Sequence, residues 1–295
     1  MRRLFATLCL LTVIVISASA QSTEMPTRVA VLDFGETSFG KLATEKVRTA
    51  FRSTPNIQLI DRDLSRAAAL GVGYTGSLNL SLPEARNLGA AIETDFYIIG
   101  DAQALRRSSS KSPVYYESYA SIFVISSRTG RLLFWERPSF QADASKAAEE
   151  KLINHLGTGE IVQSYLNAIR QALKDERDER VVAVEANAPI IEEAPDDDSS
   201  AAAQGLRLPR PYRRLRPAYP ETAARAEAEA TVDVVVDVGA DGEVSKVQVA
   251  RWAGFGLDDT TVATVRQMHF FPAMRNGTPI PMRVLLRYNF RKPTQ

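Results

Sequence analysis

The stretch 175–204 constrains this chain most. It holds ten acidic residues against two arginines and closes on Ser-Ser-Ala-Ala-Ala before Gln204. A run of this kind has too little apolar surface to offset the entropy of ordering it, and its like charges push the backbone open. The composition therefore predicts a flexible, extended acidic linker over 175–208. It separates a folded unit of about 150 residues (25–174) from one of about 90 (209–295). No internal repeat of about 20 to 50 residues is visible.

Composition removes several function classes. With 45% hydrophobic and 24% charged residues, most of the chain can bury a core. One cysteine and two histidines leave no Cys/His cluster for structural zinc, no disulfide framework and no Cys-His catalytic pair. A formal charge of +1 gives no bulk attraction to nucleic acid.

The first twenty residues read as an export signal (1–20). Arg2 and Arg3 precede an apolar run over 4–16, and Ser-Ala-Ser-Ala20 supplies the small residues read by a signal peptidase, so cleavage is expected after Ala20. The mature chain then has 34 basic against 35 acidic residues (36 less Arg2 and Arg3) and loses Cys9, its only cysteine. Leu8 stands where lipid attachment at Cys9 needs a small residue. The alternative is an uncleaved anchor, 4–20 falling short of the about 20 apolar residues that span a bilayer. Either way the chain is expected in the periplasm, soluble or anchored in the inner membrane facing it, with membrane contact only if the leader is retained.

In the first unit, Arg28-Val-Ala-Val-Leu-Asp-Phe34 suits a strand buried on both faces. Leu42, Ala43, Val47, Ala50 and Phe51 form a helical stripe ended by Pro55-Asn56. A strand over 57–61, a helix over 64–70, a helix over 82–92 capped by Ser81 with Pro83 in its first turn, and a strand over 96–99 ending at Gly100 follow. Two β-rich runs, 115–126 and 131–137, join through Ser-Arg-Thr-Gly130, and a helix over 144–173, interruptible at Gly157-Thr-Gly159, closes the unit. The pattern predicts an α/β unit of two or three layers around a mixed sheet. Val-Ala-Val-Leu-Asp-Phe34, Ile60-Asp-Arg, Ala85-Arg-Asn-Leu-Gly-Ala-Ala, Asp95-Phe-Tyr-Ile-Ile-Gly and Thr129-Gly-Arg-Leu-Leu resemble the envelope α/β domains of the CsgG and TolB amino-terminal type over 28–170. That resemblance implies a non-enzymatic domain used in envelope assemblies.

Past the linker, Arg207, Arg210, Arg213, Arg214 and Arg216 interleave with Pro209, Pro211, Tyr212 and Pro217. This arm is extended and basic, suited to phosphate or an acidic partner, or else solvated and facing the chain's own acidic linker. Tyr219-Pro220 opens a short helix to about Ala228. Val232, Val234, Val236 and Val238 alternate with Asp233 and Asp237, Asp241-Gly242 turns, and 244–251 returns. Asp258 is placed to cap a helix presenting Leu257, Val262 and Val265. Asn276-Gly277 leads into 281–290, where Met282, Val284, Leu286, Tyr288 and Phe290 fall on one face and Arg283, Arg287 and Arg291 on the other.

This order of helix, two strands, helix and strand, with Arg216-Pro-Ala-Tyr-Pro220, Val236-Asp-Val-Gly-Ala-Asp-Gly-Glu-Val, Gly256-Leu-Asp, His269-Phe-Phe-Pro-Ala and Asn276-Gly-Thr-Pro-Ile, closely resembles the TonB carboxy-terminal domain over 209–291. The resemblance implies a two-layer α+β fold, a three-stranded antiparallel sheet with helices, with Arg216, Pro217, Tyr219 and Pro220 as its motif. It also implies β-strand addition beside the last strand, here Met282, Arg283, Val284, Leu285, Leu286, Arg287 and Tyr288, by an extended peptide of an outer-membrane or other envelope protein. Arg283, Leu285 and Arg287 would meet that partner, or the arginines would only guard an exposed edge. Energy-transducing members carry a histidine in the anchor, a long Pro-rich spacer and a glutamine at the position of Arg216; this chain has none of these.

Other candidates carry little chemistry. Gly71-Val-Gly-Tyr-Thr-Gly76 fits G-x-G-x-x-G but follows a helix, where a dinucleotide loop follows a strand. Asp33 and Asp61 fall at strand ends without metal-ligand spacing, and an Asp61–Arg62 surface pair is expected. His155 and His269 stand alone, His269 being expected at an interface or in the core. Ser108 to Ser110 lack a nucleophile elbow. The expectation is a periplasmic adaptor that is not an enzyme and takes no cofactor or metal, linked by resemblance to TonB-dependent transmembrane transport. The alternative is a structural component of an envelope assembly or secretion complex organised by a homo-oligomer of the first unit.

Overall fold

Burial on both faces places β1 (Thr27–Val31) inside the first sheet, between two neighbours, as its unbroken apolar run requires. The computed structural model describes residues 25–108, 114–185, 191–195, 201–202 and 204–292. The leader, with Cys9 and the cleavage position, lies outside the described residues, as do 186–190 and 196–200 of the expected linker.

Strand β1 pairs in parallel with β2 (Ile57–Leu59) and β3 (Phe96–Arg107); β4 (Tyr115–Ser126) then pairs antiparallel with β3, β5 (Leu132–Glu136) and β6 (Ser139–Ala142). The sheet is mixed, in the order β2-β1-β3-β4-β5, with β6 beside the far end of β4. Helices α1 (Ser38–Arg52), α4 (Ser145–Leu156) and α5 (Gly159–Glu185) cover one face through Ala43, Val47, Phe51, Leu152, Tyr165 and Ile169. Helices α2 (Arg62–Gly71) and α3 (Leu82–Ile92) cover the other through Ala69, Ala85, Leu88 and Ile92, giving three layers. Ser81 caps α3 in a full capping box with Glu84.

Several expectations are corrected. Strand β3 runs through Gly100 for seven further residues. Glycine is required there by close packing, since a Cβ would lie 2.7 Å from the Ser121 carbonyl and 2.8 Å from the Phe34 ring. Leu42 is exposed, and the buried stripe of α1 is Phe39, Ala43, Val47 and Phe51. The linker does not begin at Asp175, because α5 continues to Glu185. Two of its acids meet partners from far along the chain: Glu176 accepts from Ser126 Oγ and Arg128 Nε, and Glu179 pairs with Arg131. Charges that repel in isolation anchor this helix to the β4–β5 hairpin.

In the second unit, β10 (Ala230–Val238) pairs antiparallel with β11 (Val244–Arg251) and along its whole length with β15 (Met282–Phe290). Helices α6 (Glu221–Ala226) and α7 (Leu257–Val265) cover one face, burying Ala223, Leu257 and Val265 against Val232, Val234, Val236 and Tyr288. The basic arm keeps Arg207, Arg210, Arg213, Arg214 and Arg216 exposed, but its backbone is tied down at its start. Within it β8 (Leu206–Arg207) pairs with β13 (Ala273–Arg275), β9 (Arg210–Pro211) pairs with β12 (Phe270–Phe271), and β13 turns through Asn276-Gly277 into β14 (Thr278–Ile280). The expected three-stranded sheet gains a fourth member: β7 (Glu192–Glu193), from within the acidic stretch, lies parallel to β15, giving the order β11-β10-β15-β7.

The two units share a core, which a freely moving hinge would not allow. Trp252, 2% exposed, sits in the cluster formed by Tyr97, Phe123, Ile125 and Leu88, its ring stacked on Phe123 at 5.8 Å. Its Nε1 donates to the Gly130 carbonyl (3.0 Å) and its backbone N to Leu80 (3.1 Å). Asn79 spans the junction. Its Nδ2 donates to the carbonyls of Thr231 (2.8 Å) and Trp252 (2.6 Å), and its Oδ1 accepts from Thr231 N (3.1 Å). Gly254 permits the approach, adopting φ +73 where a Cβ would meet the Phe123 ring at 2.5 Å.

Candidate functional site

Strict alternation holds along β15. Tyr288 and Phe290 are buried in the core of the second unit with Val284 and Leu286 against them, and Met282 is buried with Ala273 and Leu206. On the opposite face stand Arg283, Leu285, Arg287 and Asn289, with Leu285 58% exposed. On the partner face of β10, Asp233 and Asp237 are buried at 5% and 4% exposure. Two bidentate pairs account for this. Arg283 donates to Asp237 at 2.6 and 2.9 Å, and Arg287 to Asp233 at 2.7 and 2.9 Å. Each carboxylate raises the pKa of its guanidinium, the hydrogen bond being the largest cause.

The sequence-identified residues 282–288 therefore divide by role. The guanidinium groups of Arg283 and Arg287 lie across the sheet and hold buried aspartates. What faces outward along the edge is backbone. In an antiparallel strand the N–H and C=O of one residue point to the same side, alternating residue by residue. The Arg283 carbonyl accepts from Ala194 N (2.8 Å) and the Arg287 carbonyl from Arg214 Nη2 (3.1 Å), both on the side away from β10. Arg283, Leu285, Arg287 and Asn289 thus present their backbone groups to the outer edge, while Met282, Val284, Leu286 and Tyr288 bond to β10.

Two segments flank that edge. At the Met282 end lies β7, in register Met282 to Glu192 and Arg283 to Glu193. At the other end the arm passes beside β15, leaving a gap of about 530 Å³ lined by Arg214, Leu215, Arg216, Pro217 and residues 287–290. This brings Arg216 and Pro217 of the motif to the strand. Tyr219 and Pro220 serve the fold: the Tyr219 hydroxyl donates to the carbonyls of Ala228 (2.8 Å) and Ala223 (3.3 Å), and Pro220 stands at the N-cap of α6. Burial first, then Glu229, raises the Tyr219 phenol pKa.

The remaining candidates stay apart from this edge. Gly71 to Gly76 leaves α2 and opens no helix. Asp61 caps α2 through Asp63 N and Leu64 N, and Arg62 pairs with Asp33 at 2.7 Å, where an Asp61 pair was expected. His269 is exposed and hydrogen-bonds Glu243 at 2.9 Å, so of its expected places the core is corrected; His155 packs on Phe140. Asp258 does not cap its own helix, whose N-cap is Gly256; its carboxylate accepts from Ala253 N (2.9 Å) and Gly254 N (2.8 Å). Burial pushes that carboxyl up to about 6 against those two bonds. Ser109 and Ser110 lie outside the described residues. Among the described residues no group of three or more His, Cys, Asp or Glu could hold a metal ion, and no helix is long and apolar enough to cross a membrane.

Sequence reasoning missed Glu192, Glu193, Ala194 and Arg275. The one signal was the apolar pair Ile190-Ile191 inside an otherwise acidic run.

Residues 216–291 match the family described as Gram-negative bacterial TonB protein C-terminal. The match starts at Arg216 and does not reach the first unit, whose resemblance to CsgG and TolB amino-terminal domains it leaves unsupported. No curated protein matches the chain. Among solved structures, the Pseudomonas aeruginosa TonB carboxy-terminal domain is similar at 20% identity over 30% of this chain and 89% of its own, with a TM-score of 0.26. The hypothetical protein CT253 from Chlamydia trachomatis is 11% identical over 44% of this chain and 92% of its own (TM-score 0.32). The LpoB C-terminal domain from Salmonella enterica is 12% identical over 42% and 88% (TM-score 0.28).

Proposed function

We propose that this is a periplasmic envelope protein without enzymatic activity, an adaptor that captures an extended segment of another envelope protein by β-strand addition along the outer edge of β15. One observation carries the reading. The edge already accepts a strand, since β7 lies parallel to Met282 and Arg283 with Ala194 N bonded to the Arg283 carbonyl. The groups of Leu285 and beyond continue the same row beside the gap of about 530 Å³. Backbone bonds of this kind supply affinity, and side chains on alternate faces supply selectivity. The family match over 216–291 supports placement in the envelope.

The test is Leu285→Pro. Proline removes the outward N–H at this edge position and leaves the β10 ladder and both Arg–Asp pairs in place. Peptides selected from a random library against the mature chain are titrated calorimetrically. The expected result is a loss of at least about tenfold in affinity with unchanged melting. Equal binding by a folded Leu285→Pro chain overturns the reading.

A further inference from the structure

β7 shows what chemistry the β15 edge selects. Because Glu192 lies opposite Met282 and Glu193 opposite Arg283, the two glutamates follow the faces of those residues. Glu192 takes the core-side face, where Arg275 of β13 grips its carboxylate at 2.5 and 2.7 Å. Ala194, next on that face, packs against the small cluster of Ala201, Leu206, Ala273 and Met282, with Ile280 beside it. Glu193 takes the other face, lining with Arg283 and Val235 the cleft of about 910 Å³ between the two units. The edge therefore offers a fixed guanidinium for one acid, a second cation on the opposite face, a shallow apolar seat for a small side chain, and the Arg283 carbonyl for the backbone N–H of that small residue.

The acid-acid-small order of Glu192-Glu193-Ala194 fills all four features with two residues of formal strand. Hold on the segment is modest, because Arg275 and Glu192 are 43% and 39% exposed and solvent screens such pairs. A strand of the same chemistry with further backbone bonds along Leu285 and Arg287 would displace it.

We propose that the partner strand is an extended acidic segment of the pattern acid-acid-small, and that the chain's own Glu192-Glu193-Ala194 is a resident ligand that such a partner displaces. This rests on the strand-addition reading above. Occupation from within the chain acts at high effective concentration, so it weakens apparent binding from outside without any change in the site itself. It also makes binding selective, since a strand lacking the acids cannot replace the Arg275 pair.

The probe is a fluorescein-labelled synthetic peptide with the sequence of residues 189–195, Pro-Ile-Ile-Glu-Glu-Ala-Pro, titrated by anisotropy into the full mature chain and its Glu192→Lys variant. Amide hydrogen exchange at Ala194 is followed in parallel. In the wild type the Ala194 amide should exchange at least about tenfold slower than in a free chain, and in Glu192→Lys at the free-chain rate. The peptide should bind Glu192→Lys at least about tenfold more tightly than wild type, and a peptide with both glutamates changed to lysine should lose that binding.

Free-chain exchange at Ala194 in the wild type overturns the proposal, as does equal peptide binding by both proteins or indifference to the lysine changes. A peptide bound by neither protein while Ala194 is protected also overturns it, making β7 a permanent fourth strand. In each of these cases the library-selected peptides and Leu285→Pro still report separately on strand addition.

Discussion

Trp252→Ala should uncouple the two units at a cost that follows from the junction. The indole is 2% exposed, stacks on Phe123 at 5.8 Å and donates to the Gly130 carbonyl at 3.0 Å. Burying about 200 Å² of aromatic surface at about 25 cal/mol per Å² is worth about 5 kcal/mol. Residual structure in the unfolded chain lowers that, and measured Trp→Ala losses of about 3–5 kcal/mol agree. We expect about 4 kcal/mol. The assay is urea unfolding of residues 21–295, followed by circular dichroism and by fluorescence of Trp135, whose ring lies 5.4 Å from Phe255 at the same junction. Trp252→Phe keeps the ring contact and loses the Gly130 bond, and should cost about 1–2 kcal/mol. A loss below about 1 kcal/mol in Trp252→Ala would mean that the units do not share this core in solution.

Three further outcomes follow from the same geometry. Asn79→Ala removes three hydrogen bonds to Thr231 and Trp252 and should cost about 2–3 kcal/mol by urea unfolding, coupled rather than additive with Trp252→Ala. Gly254→Ala combines a left-handed φ with a Cβ 2.5 Å from the Phe123 ring, so it should destabilise by more than about 1 kcal/mol; an unchanged midpoint would contradict the close approach. The Asp258 carboxyl is raised from 3.8 to about 6, so its contribution is complete below the unfolded value and is lost as pH rises through about 6. The stability of wild type relative to Asp258→Asn should fall by up to about 3 kcal/mol between about pH 4 and about pH 7, and a flat difference would remove burial as the cause.

The ladder of β10 and β15 was legible because valines alternate with aspartates in one strand and apolar residues with arginines in the other. The same pattern hid what the arginines do. Alternation alone holds no reason to pair Asp233 and Asp237 with Arg287 and Arg283, 54 and 46 residues away. The acidic stretch was misread at its start for a related reason: Glu176 and Glu179 repel within a window but meet Arg128 and Arg131 across 48 residues. A two-residue strand such as β7 has no periodicity to detect, since its place is set by one backbone bond and a distant arginine. Trp252 likewise looks like any apolar residue after a strand; only the folded first unit supplies Phe123 and Gly130 as its seat.

The most direct measurement of strand addition at β15 is residue-resolved amide exchange of residues 21–295 with and without a saturating library-selected peptide. The outward amides of Leu285, Arg287 and Asn289 should slow by at least about tenfold, while the amides of Val284 and Leu286, already bonded to β10, should change little. Unchanged exchange at Leu285 and Arg287 with saturated peptide, and protection appearing elsewhere, would contradict strand addition at this edge.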